Sequence, residues 1–271
     1  MSEVIVVDDG STDGTAKLVQ LEFPEVVFIY QSQHGVSHAR NRGIDAAQCE
    51  WLALLDSDDE WTPLKIETQL KEVRNSSTYR ICHTDEIWIR NGRRVNSMKK
   101  HRKHGGWIFR HCLQRCAMSP SSILLHRSVI DEFGNFDETL PVCEDYDLWL
   151  RLCTKLPVLH IRKPLVVKYG GHLDQLSRTH WGIDRYRIRA LEKLISSKTL
   201  SNIDERYAVE EIIRKIDIYL TGAQRRQHKS DVNIYEKKKV FYGKLLNLAC
   251  ALEPKFDSSS RETRNCISLP H

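Results

Sequence analysis

No stretch of this 271-residue chain approaches the roughly 18 consecutive apolar residues that identify a membrane-crossing helix. Hydrophobic residues make up 41% of it, in strand-length runs or amphipathic patterns, so a sizeable core is available without a transmembrane span. The amino terminus, MSEVIVVDDG, lacks the basic region, apolar stretch and cleavage site that a secretory signal shows in series. A strongly basic composition is missing as well. The formal charge of +5 suits an anionic substrate or an anionic membrane surface, and falls short of a nucleic-acid signature, so no nucleic-acid partner is expected. There is no internal repeat. These absences leave a soluble cytoplasmic protein as the expectation, with room for peripheral contact at the inner membrane face.

Cysteine is present but without a framework. The eight residues Cys49, Cys82, Cys112, Cys116, Cys143, Cys153, Cys250 and Cys266 are scattered through enzyme-like segments. Disulfide frameworks belong to small secreted domains, so these read as reduced thiols. Cys112 and Cys116 beside His111 have a spacing that suits the buried face of a helix better than a zinc site, because no second ligand pair follows.

What the chain does have is three acidic clusters in its first 150 residues. Asp8-Asp9 closes the VIVV run, Asp56-Ser57-Asp58-Asp59 closes WLALL, and Glu144-Asp145 opens EDYDLWLRL. In open α/β sheets ligands bind beyond the carboxyl ends of strands. Carboxylates gathered there repel one another unless a cation or a proton-transfer task holds them together.

The chain's periodicity supports that placement. Val4–Val7, Val26–Tyr30 and Trp51–Leu55 read as buried strands, alternating with helices around Leu18 and Leu21, over His34–Ala47, and over TPLKIETQLKEV with Thr62 as N-cap and Pro63 at the first position. This alternation predicts a parallel sheet. After residue 78 come a strand at Tyr79–Ile89, an Asn91-Gly92 hairpin turn, a return at Arg93–Asn96, and strands at Ser121–His126 and Val158–Tyr169. From Asp184 to Leu252 the pattern is helical, with breaks near Ser196–Ser201 and His228–Asp231.

Each cluster has a plain reading beside the chemical one. DSDD after a strand can hold Mg²⁺ or Mn²⁺ through carboxylate oxygens, or can simply cap a turn. A calcium loop is excluded by Trp61 at the position where glycine is required. Asp8-Asp9-Gly-Ser-Thr-Asp can accept a hydrogen bond from a pyrimidine N–H, or form an Asx-turn. Arg40 and Arg42 in ARNRG can grip phosphate or be solvated. Glu144 and Asp145 can act as a general base or as helix-dipole caps. His172, after a glycine pair, is a candidate metal ligand or a surface histidine. The KKHRKH run at Lys99–His104 reads first as a solvated face, with contact to a membrane or an anionic acceptor as the alternative.

Taken in order, VVDDGSTDGT, HGVSHARNRGIDAA, WLALLDSDDEW and EDYDLWLRL resemble family 2 glycosyltransferases of the GT-A fold, over residues 3 to 175. The resemblance implies an α/β nucleotide-diphospho-sugar transferase fold, with a mostly parallel central sheet flanked by helices. Residues 1–180 would form that domain, 181–253 a helical extension and 254–271 a disordered tail. It also implies an inverting, metal-dependent transfer from a nucleotide-sugar, expected to be a UDP-sugar, to a hydroxyl on a glycan or lipid-linked acceptor. Asp8, Asp9, Arg40 and Asp56 map to donor binding; Asp56, Asp58 and Asp59 map to a Mg²⁺ or Mn²⁺ site, with His172 as a further ligand. Asp145 maps to the catalytic base, with Glu144 as its neighbour.

Family members begin with a strand and a helix ahead of the VVDDGS strand, and this chain starts at that strand. The expectation is therefore an N-terminally truncated domain, short of one strand–helix unit of about 30 residues. Two rival readings are a non-catalytic nucleotide-sugar-binding remnant and a nucleotidyltransferase of related architecture. The second lacks its usual glycine-rich, lysine-bearing N-terminal loop.

Overall fold

The computed structural model describes residues 2–95, 101–171 and 180–251. Strand β1 (Ile5–Asp9) is followed by α1 (Thr15–Glu22), β2 (Val27–Gln31) and α2 (Val36–Ala46). β1 and β2 pair in parallel, from Ile5 opposite Val27 to Asp9 opposite Gln31, so both carboxyl ends emerge on one side. This two-stranded unit is not hydrogen-bonded to the main sheet.

The main sheet contains β3 (Trp51–Ala53), β4 (Asp59–Trp61), β5 (Ile81–Arg90), β6 (Arg93–Val95), β7 (Ile123–His126) and β8 (Leu159–Gly170). Its order is β3-β7-β5-β8-β4, with β6 returning on β5 through a turn in which Asn91 and Gly92 both have positive φ. That left-handed pair is what a tight hairpin demands, and Asn-Gly supplies it at little steric cost. The longest ladder, β5 on β8, is parallel, whereas β7 runs antiparallel to β3 and β5, and β4 antiparallel to β8. The sheet is thus mixed rather than mostly parallel. The parallel expectation extended the strand–helix alternation of the first 74 residues, and that alternation stops at α3 (Lys65–Arg74). β4 was not expected either: the end of DSDDEW is drawn straight onto β8 instead of entering a helix.

Consequently α3 starts later than the sequence suggests. Thr62 is not its cap; its N–H is committed to Leu165 O at 3.0 Å, as an extension of the β4–β8 pairing, and the helix opens at Lys65. Lys65 is fully buried there. Its Nζ donates to Gln69 Oε1 at 2.7 Å and lies 4.2 Å from the centre of the Trp61 ring.

The remaining helices are α4 (Phe109–Gln114), α5 (Arg127–Phe133), α6 (Glu144–Cys153), α7 (Asp184–Ser196), α8 (Asn202–Arg225) and α9 (Lys229–Ala251). The core gathers on α6, where Tyr146, Leu148, Trp149, Leu150 and Leu152 are all buried. Trp149 Nε1 donates to Met118 O at 2.9 Å and Tyr146 Oη to Leu113 O at 2.6 Å, so the two largest side chains enter the core with their polar ends satisfied. The same apolar cluster runs on through Ile188 and Leu191 of α7 and Ile212 and Ile216 of α8. These helices share the core of α6 across the 180/181 line. No helix among the described residues is long and apolar enough to cross a membrane. The tail from residue 254 lies outside the described residues.

Burial pushes the Lys65 ammonium down to about 7, against a weak opposing effect of Cys82. Its folded-state value lies below the unfolded one, so between those values the unfolded chain binds more protons and stability rises with pH. Below about 7 the burial cost is fully present. Lys65→Met should flatten this dependence. In urea unfolding, the stability of the wild type relative to the variant should climb between pH 7 and 9 by up to about 1.4 kcal/mol per pH unit. Parallel pH profiles would show that Lys65 titrates normally.

Candidate active site

The end of β1 sets the first acidic cluster. Asp9 accepts from Gln31 Nε2 at 2.6 Å, His34 N at 2.8 Å and Gly35 N at 2.8 Å. Burial acts to raise its carboxyl, yet these donors hold it below the ordinary value. Asp9 therefore clamps the loop that launches α2. Asp8 is buried; its Oδ1 accepts from Ser11 N at 2.8 Å, while its Oδ2 is buried and has no partner.

Helix α2 carries Arg40 one turn beyond that clamp. Its Nη1 donates to Glu144 Oε1 and its Nη2 to Asp56 Oδ1, both at 2.6 Å. The planar guanidinium can span two acids in this way because its donors form a rigid fork. The next residue, Asn41, is buried and exchanges hydrogen bonds with the Phe136 backbone, N–H and carbonyl both at 3.0 Å. This brings the Phe136 ring to 5.3 Å from the Arg40 guanidinium carbon. Arg42 is exposed.

The DSDD turn is shaped from beneath by Ser121. Its Oγ donates to Asp59 Oδ2 at 2.6 Å and accepts from Asp56 N at 3.1 Å. Lys168 Nζ reaches Asp59 Oδ2 at 2.9 Å. Burial raises the Asp59 carboxyl above its ordinary value, against the pull of Lys168 and Ser121. Ligand atoms of Asp56, Asp58 and Asp59 lie within 4.8 Å of one another, and Asp59 Oδ1 is buried without a hydrogen-bond partner. Three carboxylates converging with an orphaned oxygen fit a hard divalent cation such as Mg²⁺ or Mn²⁺.

At the start of α6, Cys143 takes a left-handed conformation, φ 65°, uncommon for a residue with a side chain. That turn presents Glu144 and Asp145 together. Burial and the adjacent Asp145 charge push the Glu144 carboxyl up, with Arg40 opposing. Asp145 is half-buried; its Oδ2 accepts from the Cys116 thiol at 2.9 Å and its Oδ1 from Tyr146 N at 2.6 Å. Burial, then Asp145, raise the Cys116 thiol well above its usual value, so it remains protonated and able to donate.

A cavity of about 1440 Å³ joins these parts, lined by Arg40, Asp56, Glu144 and Asp145 among others. Asp58 and Asp59 occupy the turn beside it, and Asp8 and Asp9 sit at the end of β1. His172 lies outside the described residues. Cys112 is buried in the core and Cys116 serves Asp145; among the described residues, the aspartate trio is the only cluster of three or more side chains suited to a metal. Sequence reasoning missed Ser121, Lys168 and Cys116, whose contacts come from distant segments. The Lys99–His104 run is not simply a solvated face, since its described part, residues 101–104, lines the cavity.

Residues 2–130 match the model for Glycosyl transferase family 2. The chain carries a family 2 glycosyltransferase domain. An uncharacterised glycosyltransferase of Rickettsia conorii is 30% identical over 196 residues, 65% of this chain and 30% of that protein. A putative teichuronic acid biosynthesis glycosyltransferase of Bacillus subtilis is 42% identical over 74 residues, 26% of this chain and 29% of its own. Chondroitin synthase of Escherichia coli is 27% identical over 164 residues, covering 59% and 24%. The chain thus spans less than a third of the length of these relatives. Among solved structures, S. aureus TarS superimposes with a TM-score of 0.59 at 16% identity, over 78% of this chain and 37% of that one. These likenesses fix the fold class as GT-A-like, a mixed sheet flanked by helices with a helical carboxyl-terminal region.

In the glycosyltransferase domain Arg40 offsets the charge of two carboxylates at once. Arg40→Ala should cost about 3–5 kcal/mol, the usual consequence of leaving buried charges uncompensated. Arg40→Met combined with Glu144→Gln should recover part of that loss. Urea midpoints for both variants check this, and equal midpoints for wild type and Arg40→Ala would show that the fork contributes nothing.

Proposed function

We propose that the protein transfers a sugar, with inversion, from a UDP-sugar to a hydroxyl group of a glycan or lipid-linked acceptor. The observation that carries this reading is the Arg40 fork, which joins the metal-competent Asp56 turn to the Glu144–Asp145 helix end within one cavity. Family membership supports glycosyl transfer as the reaction class. Donor, metal, stereochemistry and acceptor are our assignment.

In this mechanism Asp145 accepts the proton of the acceptor hydroxyl. That oxygen bonds to the anomeric carbon opposite the diphosphate, the bond to the diphosphate oxygen breaks, and its electron pair leaves with UDP. Inversion follows from the in-line path. The Cys116 thiol and the Tyr146 N–H hold the Asp145 carboxylate in place, which a general base requires. Asp56 and Asp58 would hold Mg²⁺ or Mn²⁺, which when bound neutralises the diphosphate. Asp59 supports that turn through Lys168 and Ser121. Asp8, with its unpartnered Oδ2, is assigned to the uracil N–H, and Asp9 keeps the adjoining loop in shape.

Asp145→Asn should lower transfer by roughly 10²–10⁴-fold, the scale of general-base loss. UDP binding measured by calorimetry in Mn²⁺ should change little, whereas Asp8→Ala should weaken it clearly. An Asp145→Asn protein that loses UDP affinity as badly as Asp8→Ala does would contradict the assigned roles. Full activity in excess EDTA would remove the metal from the scheme.

A further inference from the structure

Away from Arg40 and Asp56, the cavity wall is cationic. It is built from residues 101–104, from His111 and Arg115, and from His160 and Arg162 on β8. Part of this charge is already matched. Lys103 Nζ lies 3.0 Å from Glu86 Oε1, and His160 Nε2 lies 2.8 Å from Asp85 Oδ1. Glu86 also accepts from Ser119 Oγ. Arg102 and Arg162 have no ion pair among the described residues, and both are exposed. Near Arg102, His104 stacks on His111 with ring centroids 4.0 Å apart. Burial, and then the charges of His111 and Arg102, make protonation of His104 unfavourable, which is what cationic groups do when no acid separates them.

This wall adjoins the base. Lys103 Nζ donates to Ala117 O at 3.3 Å, and the neighbouring Cys116 donates to Asp145. The proposed uracil contact, Asp8, lies at the end of β1 and is not part of the cavity lining. The wall therefore flanks the side of Asp145 on which an acceptor would sit. Arg102 and Arg162, cations of the cavity wall without an ion pair among the described residues, concentrate anions there, because low-dielectric walls focus the field.

Building on the glycosyl-transfer reading, we infer that the acceptor is anionic: it carries phosphate or carboxylate groups beside the reacting hydroxyl, and these are held by Arg102 and Arg162 with the His104–His111 pair. The positive wall would then select the acceptor, while the aspartates select the donor.

The test uses the 271-residue protein with Mn²⁺ and UDP. Calorimetry would compare a neutral trisaccharide, the same trisaccharide bearing one phosphate, and a trisaccharide of uronic acids. At least one anionic probe should bind tenfold or more tightly than the neutral one, and whichever it is identifies the anionic group. The Arg102→Gln/Arg162→Gln protein, checked by its melting temperature to be folded, should lose most of that advantage. Arg102→Lys/Arg162→Lys should keep more of it. Equal affinity for the three probes would overturn the inference, as would an anionic preference that survives the glutamine substitutions. A double variant that loses UDP affinity but keeps probe affinity would assign the wall to the donor and overturn it too. Binding of UDP to the wild type is read separately, so failure of the donor reading is distinguishable from failure of the acceptor inference.

Discussion

Arg40 is the constraint on which the rest of the site depends. Asp56, Glu144 and Asp145 come from a strand-end loop and a helix start far apart in sequence, and their carboxyl groups meet in a partly desolvated cavity. Like charges so placed raise one another's affinity for protons or drive their segments apart. A guanidinium side chain only 12% exposed, bonded to two of the three acids, offsets part of that penalty and fixes the spacing between the loop and the helix. Its own position is determined upstream. Asp9 holds the start of α2, and Asn41 pins the Phe136 ring that packs near the guanidinium. The fork thus transmits the geometry of the β1–β2 unit to the start of α6, although the two sheets share no hydrogen bonds.

The parts legible in the sequence were those encoded locally. β1, β2, β5 and β8 follow from β-branched or alternating runs, the hairpin from Asn91-Gly92, and the three carboxyl-terminal helices from their periodicity and their breaks. What escaped was tertiary in origin. β4 is a three-residue strand that exists only because β8 lies beside it, and with it α3 starts at Lys65 rather than at Pro63. The acidic clusters were visible as clusters, but their partners were not. Ser121, Lys168 and Cys116 reach their aspartates from 62, 109 and 29 residues away, separations across which no sequence period operates. A buried lysine such as Lys65 is likewise invisible in a sequence, where lysine at a helix start reads as solvated.

The same tertiary logic shapes the cavity wall. His160, Arg162 and Pro164 of β8 all line the cavity. Their neighbours on β5, Asp85 and Glu86, are consecutive and should point to opposite faces, yet both line it. The β5–β8 register shifts between Thr84 and Asp85 and again between Asp85 and Glu86. Such an irregularity re-aims side chains that a regular ladder would separate. One acid is thereby placed against His160 and the other against Lys103, while Arg102 and Arg162 have no ion pair among the described residues.

The carboxylates of the recognisable motifs do not share one duty. In each motif one member is tied to another segment: Asp9 to three donors at and before the start of α2, Asp59 through its Oδ2 to Lys168 and Ser121, and Glu144 to Arg40. Their neighbours are held as well, Asp8 by Ser11 N–H and Asp145 by the Cys116 thiol and the Tyr146 N–H. Adjacency matters physically. A side chain anchored by strong hydrogen bonds steadies the backbone on which its neighbour rides, so contacts to one member help to position the other. At DD, DSDD and ED the turn is therefore held through adjacent carboxylates bonded to different segments, so its geometry does not depend on a single contact.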